Sequence, residues 1–348
     1  MPSEHGVEKA PKVSVCIPSY NHARYIGSSI KSVLAQTFKD WEMIIVDNCS
    51  TDNTEEVLKT FADPRIHFHK NETNIGAARN WSRSASLARG EYVAVLQSDD
   101  QYLPGMLERS ITMLDTHPRV GFVHSSFHRM DSDGNFIDMQ QRWEHDQVID
   151  GLNALRLLTK DCYITPSTVV MRRSLFKDLG GFDVRYQYSI DWSMWMRMAL
   201  SSDVGYIAEP LVLQRPVHPA SLTARSIMRK PRLATSEELR LIDEIFGILP
   251  ASREWREIRH EAYRNIMYRH IVKALWLLHH GETSPFRSEI AYVIRLNRRF
   301  PLQYRKVMAL WAASVLGTGF PKWLDYQEQA FWQAFRGQRR REPTVIVP

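Results

Sequence analysis

The chain has 348 residues, 44% hydrophobic and 24% charged, which suits a large folded domain with an extension and excludes a disordered or fibrous chain. Three cysteines, Cys16, Cys49 and Cys162, lie far apart with no CxxC pair. That pattern argues against a disulfide framework and for a reducing compartment. The formal net charge is +6, unevenly spread: residues 225–348 hold 22 Lys/Arg against 12 Asp/Glu, a net of +10 that leaves about −4 for the first 224 residues.

The opening MPSEHGVEKAPK has no apolar signal core. Apolar runs such as VMALWAASVLG, from Val307, are shorter than the ~18 residues a membrane span requires. A cytoplasmic protein is the expectation, with residues 1–11 flexible.

From residue 12 the pattern alternates. KVSVCIPS (12–19) reads as a strand, and RYIGSSIKSVLAQTF (24–38) has helical apolar spacing at Ile26, Ile30, Val33 and Leu34. WEMIIVDN (41–48) is a second strand, and STDNTEEVLKTFA opens a helix with capping residues and acids. RIHFHK (65–70), NIGAARNWSRSASLA and EYVAVLQ (91–97) continue as strand, helix and strand. Continuous apolar strands alternating with helices predict a parallel sheet covered on both faces, with ligands beyond the carboxyl ends of its strands. After residue 104 the alternation loosens. VGFVHSSFHRMDSDGNFID reads as a hairpin with an Asp-Gly turn, and TPSTVVMRRSLFKDLGGFD as a strand and short helix stopped by Gly-Gly. SIDWSMWMRMALSS is a helix whose Trp192 and Trp195 suit a core better than a sugar platform, and GYIAEPLVLQ is strand-like. Past 225 the pattern is helical and basic.

The fourth strand runs straight into Asp99 and Asp100. Adjacent acids repel, and burial deepens the cost. Two carboxylates at a strand end suit Mg²⁺ or Mn²⁺, whose remaining ligands come from substrate phosphates. A nucleoside diphosphate docks beside two acids only through a bridging cation. The plainer alternative is a polar turn with an Asp capping the helix of LPGMLERSITML. Other residues share this sheet edge. Pro18, Ser19, Tyr20 and Asn21 end the first strand, where an aromatic can stack on a base. Asp47 ends the second and can accept a hydrogen bond from a pyrimidine N3–H. Gly76 opens a helix whose N-terminus attracts phosphate, with Arg79 one turn in, either pairing with it or standing as a surface charge.

The run VSVCIPSYNHARYI, SVLAQTF, WEMIIVDNCSTDNT, NIGAARN and GEYVAVLQSDD resembles the nucleotide-sugar-binding half of family 2 glycosyltransferases with the GT-A fold. The likeness continues through PSTVVMRRSLFKDLGGFD and DWSMWMRM, so it spans about 12–224. It implies a mixed α/β sheet flanked by helices, with a nucleotide-sugar half (12–103), an acceptor half (104–224) and a basic helical C-terminal region (225–348). It also implies inverting, metal-dependent transfer from a nucleotide sugar, usually UDP-linked, to an acceptor hydroxyl. On the matching positions, Tyr20 and Asp47 resemble base contacts and Arg79 a base or phosphate contact, with Pro18 and Asn21 beside them. Asp99 would face the ribose. Asp100 would ligate Mn²⁺ or Mg²⁺ as the end of a DXD-like motif in which Ser98 takes the first place. Asp191 would be the base, in YSIDWSMWMR, where Ile190 replaces the first acid of the family's pair. The plainer alternative is that Asp191 is only the N-cap of the helix Trp192–Leu200, and both roles are compatible. In RPVHPASLT, Arg215 is a candidate diphosphate contact, and His218 a metal or phosphate ligand or a plain surface histidine.

The segment 253–281 carries Trp255, Ile258, Ala262, Ile266, Ile271, Ala274 and Leu278 as an irregular apolar stripe among arginines. It suits a bundle on the catalytic domain, or docking on anionic lipid beside a saccharide or lipid-linked saccharide acceptor at the inner face of the membrane. No zinc spacing, basic zipper or RRM signature points to nucleic acid. Two readings compete with the enzyme: a non-catalytic sugar-nucleotide-binding or assembly protein on the same fold, and a nucleotidyltransferase. The latter usually has a Gly-rich basic loop after the first strand, where this chain has SYNHARYIG.

Overall fold

The computed structural model describes residues 10–215, 231–279 and 282–296, with Met308 and Ala312. Most of the segment read as flexible (1–11), His218 and nearly all of 297–348 lie outside the described residues.

In chain order the elements are β1 (Val13–Ser19), α1 (Ala23–Leu34), β2 (Trp41–Asp47), α2 (Thr54–Leu58), β3 (Ile66–Lys70), α3 (Ala77–Ser86) and β4 (Tyr92–Val95). Then come β5 (Gln101–Tyr102), α4 (Met106–Thr116), β6 (Val120–Met130), β7 (Phe136–Gln140), β8 (Gln147–Ile149) and α5 (Gly151–Leu158). They are followed by β9 (Val169–Arg172), α6 (Arg173–Asp178), α7 (Ile190–Ala199) and β10 (Asp203–Gln214). Three helices close the described chain: α8 (Pro231–Ile248), α9 (Arg253–His279) and α10 (Thr283–Leu296).

The strands form one ten-stranded sheet in the order β3-β2-β1-β4-β9-β6-β10-β5, with β7 on β6 and β8 on β10. β1 through β4 pair in parallel; β9 then runs against both β4 and β6, and β6 pairs in parallel with β10. The sheet is therefore mixed, as the resemblance implied, rather than wholly parallel. One reversed strand between β4 and β6 leaves the carboxyl ends of β1, β2, β3, β4, β6 and β10 at one edge.

The continuous apolar strands are explained by two cores, one on each face. Cys16, Ile44, Val46, Val93, Val95, Phe122 and Met171 face one. Val13, Val15, Ile17, Met43, Ile45, Ala94 and Val170 face the other. Period-two alternation sends neighbours to opposite faces, and here both faces are dry. Pro18 fits a central strand because β4 stops pairing with β1 at Cys16, so no ladder bond is lost there.

α7 lies on the first face, its Trp195 stacked on Phe122 with ring centroids 5.5 Å apart. Trp192 and Trp195 are both core residues, as the sequence reading favoured. Gly121, near the start of β6, lies so close to Ser202 that a methyl group would overlap that side chain. The C-terminal end of α7 therefore sits at the amino edge of the sheet. Its N-terminal end, with Asp191, meets α5, where Trp192 Nε1 donates to the Leu158 carbonyl at 2.8 Å.

The chain divides into two compact units, Met1–Ile266 and Met267–Pro348. The sequence reading set a boundary near 224, yet α8 and the first part of α9 belong to the first unit. Leu241, Ile242, Ile245, Trp255, Ala262 and Ile266 join the same core as Phe122 and Trp195. In the second unit Ile271, Ala274 and Leu278 pack with Phe286, Ile290 and Val293. The apolar stripe offered to lipid is thus turned into protein cores. Among the described residues, no helix is long and apolar enough to cross a membrane.

Trp195 is fully buried and spans the contact between α7 and the sheet. Trp195→Ala is expected to cost about 3–5 kcal/mol, the usual range for deleting a buried aromatic. Urea unfolding checks this; a loss under about 1 kcal/mol would mean the stack holds little, since surface changes cost that much.

Candidate active site

The site begins with register. β1 and β2 end level, Ser19 opposite Asp47, and Asp47 lies opposite Lys70 of β3. The loops that follow are stitched together. Asn21, at φ 54°, and Cys49, at φ 61°, both adopt the left-handed conformation that non-glycine residues avoid. Side-chain bonds hold them there. Asn21 N–H donates to Ser50 Oγ at 2.8 Å, and Thr51 N–H donates to Asn21 Oδ1 at 2.8 Å. Asp47, 1% exposed, accepts from Ser50 N–H at 2.9 Å and from the Ser50 hydroxyl. Tyr20 is half-buried beside them and Pro18 fully buried in the strand.

A network of amides extends this edge to β3 and α3. Asn71 Nδ2 donates to Asn48 Oδ1 at 2.8 Å and to Asn80 Oδ1 at 2.9 Å. Asn48 Oδ1 also accepts from Ile75 N–H at 2.9 Å, and Asn80 Nδ2 donates to the Val46 carbonyl at 3.0 Å. Arg83 closes the network on Asn71 Oδ1 at 2.7 Å. Asn48, Asn71 and Asn80 are each 3% exposed or less, so each amide needs these partners. The network fixes the turn before α3. Gly76, at φ 84°, precedes the helix, and Arg79 in its first turn is exposed to solvent.

The segment after β4 carries the acids inward. Asp100 is fully buried and Asp99 is 6% exposed. Asp100 Oδ2 accepts from the Ser167 hydroxyl at 2.5 Å, and Oδ1 from the Arg215 N–H at 2.8 Å. The Ser29 hydroxyl donates to the Asp100 carbonyl at 2.6 Å. Ser98, 2% exposed, shares a hydrogen bond of 2.7 Å with His22 Nδ1. Burial, and then the neighbouring charge of Asp99, push the Asp100 carboxyl well above the usual carboxylate range; Ser167 and Arg215 oppose this. The acids do not cap α4, whose N-cap is Gly105. That removes the capping half of the plain reading; the turn itself is present, with Asp100 N–H donating to the Gln97 carbonyl at 3.0 Å.

These oxygen donors suit a hard divalent cation, which would relieve the repulsion between two enclosed carboxyls. Among the described residues no group of three or more His, Cys, Asp or Glu could hold a metal by itself. Such a cation would therefore complete its shell with substrate phosphate and water, the usual habit of Mg²⁺.

Arg215 reaches the acids by its backbone. Its guanidinium donates to the Asp131 carbonyl and lies over the Tyr25 ring at 4.5 Å. At 9% exposure it anchors the turn between β6 and β7 as much as it faces the site.

Asp191 lies in the first turn of α7, but it is not the N-cap; Ser189 holds that position. Asp191 is half-buried and accepts from the Trp192 N–H at 2.8 Å. Burial raises its pKa to about 6, against the pull of the Trp192 and Asp191 backbone N–H groups. Ile190, which stands where the resemblance expects an acid, is 3% exposed and packs in the core.

Comparison with known proteins identifies the family and the fold. Residues 14–180 match the family described as glycosyl transferase family 2. The chain is 30% identical over 198 residues to the Escherichia coli enzyme WfgD, named a UDP-Glc:alpha-D-GlcNAc-diphosphoundecaprenol beta-1,3-glucosyltransferase, covering 56% of this chain and 72% of that one. It belongs to glycosyl transferase family 2. The chain is a glycosyltransferase. S. aureus TarS, solved with UDP-GlcNAc, superposes with a TM-score of 0.62 over 82% of this chain and 81% of that one, at 19% identity. A mannosyltransferase of Pyrobaculum calidifontis, solved with GDP-Man and Mn²⁺, gives 0.54 over 89% and 87%, at 18% identity. These two likenesses establish the GT-A fold.

Several supporting residues escaped the sequence reading. Asn48, Asn71 and Asn80, like Ser29, His22 and Ser167, carry no signal of their own in the sequence. Each acts through a partner at least nine residues away, which spacing alone does not reveal.

The raised pKa of Asp191 has a consequence for stability. Its folded value lies above the ~3.9 of an unfolded Asp, so the fold favours the protonated acid. That contribution is full below pH ~4 and is lost as pH rises through about 6. Asp191→Asn is expected to raise Tm relative to the wild type above pH 6 and to leave it nearly unchanged near pH 4. Calorimetric scans at both pH values test this, and a Tm difference independent of pH would contradict it.

Proposed function

We propose that this glycosyltransferase moves a sugar from a UDP-sugar to an acceptor hydroxyl with inversion, with the help of Mn²⁺ or Mg²⁺. The observation that carries the reading is a buried acid pair, Asp99 and Asp100, just past the carboxyl end of β4, together with a separate acid, Asp191, whose pKa is raised to about 6. The pair suits a diphosphate–cation group. The separate acid suits proton removal.

In this reading Tyr20, Asp47 and Arg79 hold the base and its attached phosphate, while Pro18 and Asn21 shape that pocket. Asp99 faces the ribose. Asp100 would hold the cation, joined by His218 from the segment beyond the described residues, with Ser98 and Arg215 lining the diphosphate. When bound, the cation offsets the charge that develops on the departing diphosphate. Asp191 accepts the proton of the acceptor hydroxyl as its oxygen attacks the anomeric carbon from the face opposite the leaving group. A carboxyl titrating at about 6 is largely ionised at neutral pH and still basic enough to accept that proton. One displacement on one face inverts the anomeric centre.

The UDP-linked donor named for WfgD and the UDP-GlcNAc held by TarS support a UDP-sugar, and the Mn²⁺ of the archaeal mannosyltransferase supports the cation. The lipid diphosphate named as acceptor of WfgD supports a lipid-linked saccharide, and with it work in cell-surface polysaccharide or glycolipid assembly at the cytoplasmic face of the membrane.

Calorimetry with UDP, dTDP, GDP and CDP, with and without Mn²⁺, tests the donor side. Mn²⁺-dependent binding of UDP that disappears in Asp100→Ala is expected; a folded protein that binds none of the four would overturn the site. UDP release from UDP-glucose or UDP-GlcNAc tests the base. Asp191→Asn is expected to slow it by about 10²–10⁴-fold, the usual share of general base catalysis, with UDP binding retained.

A further inference from the structure

The start of α7 has an unusual support. Ser189 occupies the N-cap, but its hydroxyl makes no capping hydrogen bond. The N–H groups just before the helix are satisfied from elsewhere in the chain. Glu237, on α8 and 3% exposed, accepts from Gln187 N–H at 2.9 and 3.0 Å, from Tyr188 N–H at 2.8 Å and from Ser189 N–H at 3.3 Å. Three successive N–H groups converging on one carboxylate form an anion nest, here filled by a side chain. The nest also lies at the N-terminus of α7, where the helix dipole favours a negative group.

The same face of α8 grips the residues before the nest. Glu244 accepts from Arg185 Nη1 and Nη2, each at 3.1 Å, and from the Tyr186 hydroxyl at 3.0 Å. Arg240 donates to the Arg185 carbonyl at 3.0 Å and lies over the Tyr186 ring at 4.5 Å. Positions 237, 240 and 244 recur at helical spacing, so they form one stripe. That stripe holds every residue from Arg185 to Ser189, two residues short of Asp191.

We propose that Glu237 is a positioning residue for Asp191, and that α8 is a working part of the catalytic unit rather than an accessory of the C-terminal region. The proposal rests on the reading of Asp191 as the base. Asp191 is fixed only as well as the first turn of α7, because its own bond is to the next residue of that turn. With no side-chain cap to set the turn, the Glu237 carboxylate sets it. Loss of that carboxylate frees three N–H groups and lets the turn shift. A displacement of about 1 Å at a reacting group is enough to cost on the order of 10²-fold in rate. Among the described residues the donor edge, built on β1 to β4 and Asp100, shares no hydrogen bond with this clamp, so the loss leaves it intact.

Two variants are compared with the wild type. Glu237→Gln keeps the volume but offers only one acceptor oxygen, and Glu237→Ala removes the group. Amide exchange followed by mass spectrometry reads the peptide spanning Gln187 to Ser189. UDP release from UDP-glucose or UDP-GlcNAc, whichever the wild type turns over, gives kcat and the donor KM. Faster exchange in that peptide is expected in both variants, with kcat lower by about 10- to 100-fold and the donor KM unchanged within about twofold. Wild-type kcat in Glu237→Gln, or exchange equal to wild type, overturns the proposal while Asp191→Asn remains inactive. So does a fall in kcat accompanied by loss of UDP binding and of the unfolding transition in both variants, because the role would then be general stability. Should Asp191→Asn itself keep full activity, the failure lies with the base, whatever Glu237 does.

Discussion

A carboxyl group with no solvent exposure, next to a second carboxyl, is the constraint around which the carboxyl edge is built. Burying Asp100 beside Asp99 is unfavourable on two counts, desolvation and like charge. The fold answers with donors from separate parts of the chain. Ser167, from the turn before β9, and Arg215 N–H, just past β10, donate to the carboxyl, while Ser29 of α1 donates to the Asp100 backbone carbonyl. Holding Asp100 therefore holds those segments to one another. The remaining excess of negative charge is what a cation and its diphosphate can relieve.

The other half of the edge is held mainly by neutral amides, with Arg83 closing the network. Asn48 and Asn71, just past β2 and β3, and Asn80, on α3, each donate and accept, so one residue type can bridge two strand ends and a helix. Buried amides of this kind tolerate little displacement, because each lost partner strands another polar group. Beside that network, bonds to Ser50 and Thr51 keep Asn21 in a left-handed conformation it would not choose alone. The network also places the exposed Arg79 at the rim rather than in the wall.

The C-terminal half of the site depends on residues far along the chain. α8 and the first part of α9 bury their apolar faces in the core that also holds Trp195 and Phe122. Their polar face, through Glu237, Arg240 and Glu244, meets the loop that leads to Asp191. A single helix thus joins core packing to the placement of one acid. The net positive charge of residues 225–348 says little about this, since the contacts that matter here include two glutamates.

The sequence by itself determined the alternation of strands and helices, the two-faced burial of β1, β2 and β4, and the edge on which Asp47, Asp99 and Asp100 lie. Those features follow from local periodicity and from the rule that parallel strands end together. It determined the family as well, because that likeness rests on ordered short motifs. Only the tertiary structure decided that β9 reverses the sheet, that Asp99 and Asp100 do not cap α4 and that Ser189, not Asp191, takes the N-cap of α7. The same holds for the run of the first unit to Ile266. These depend on contacts between residues distant in the chain, such as Ser167 with Asp100 or Glu237 with Ser189, 67 and 48 positions apart. Serine, asparagine and glutamate are common on surfaces, so their burial at these positions leaves no mark in a single sequence.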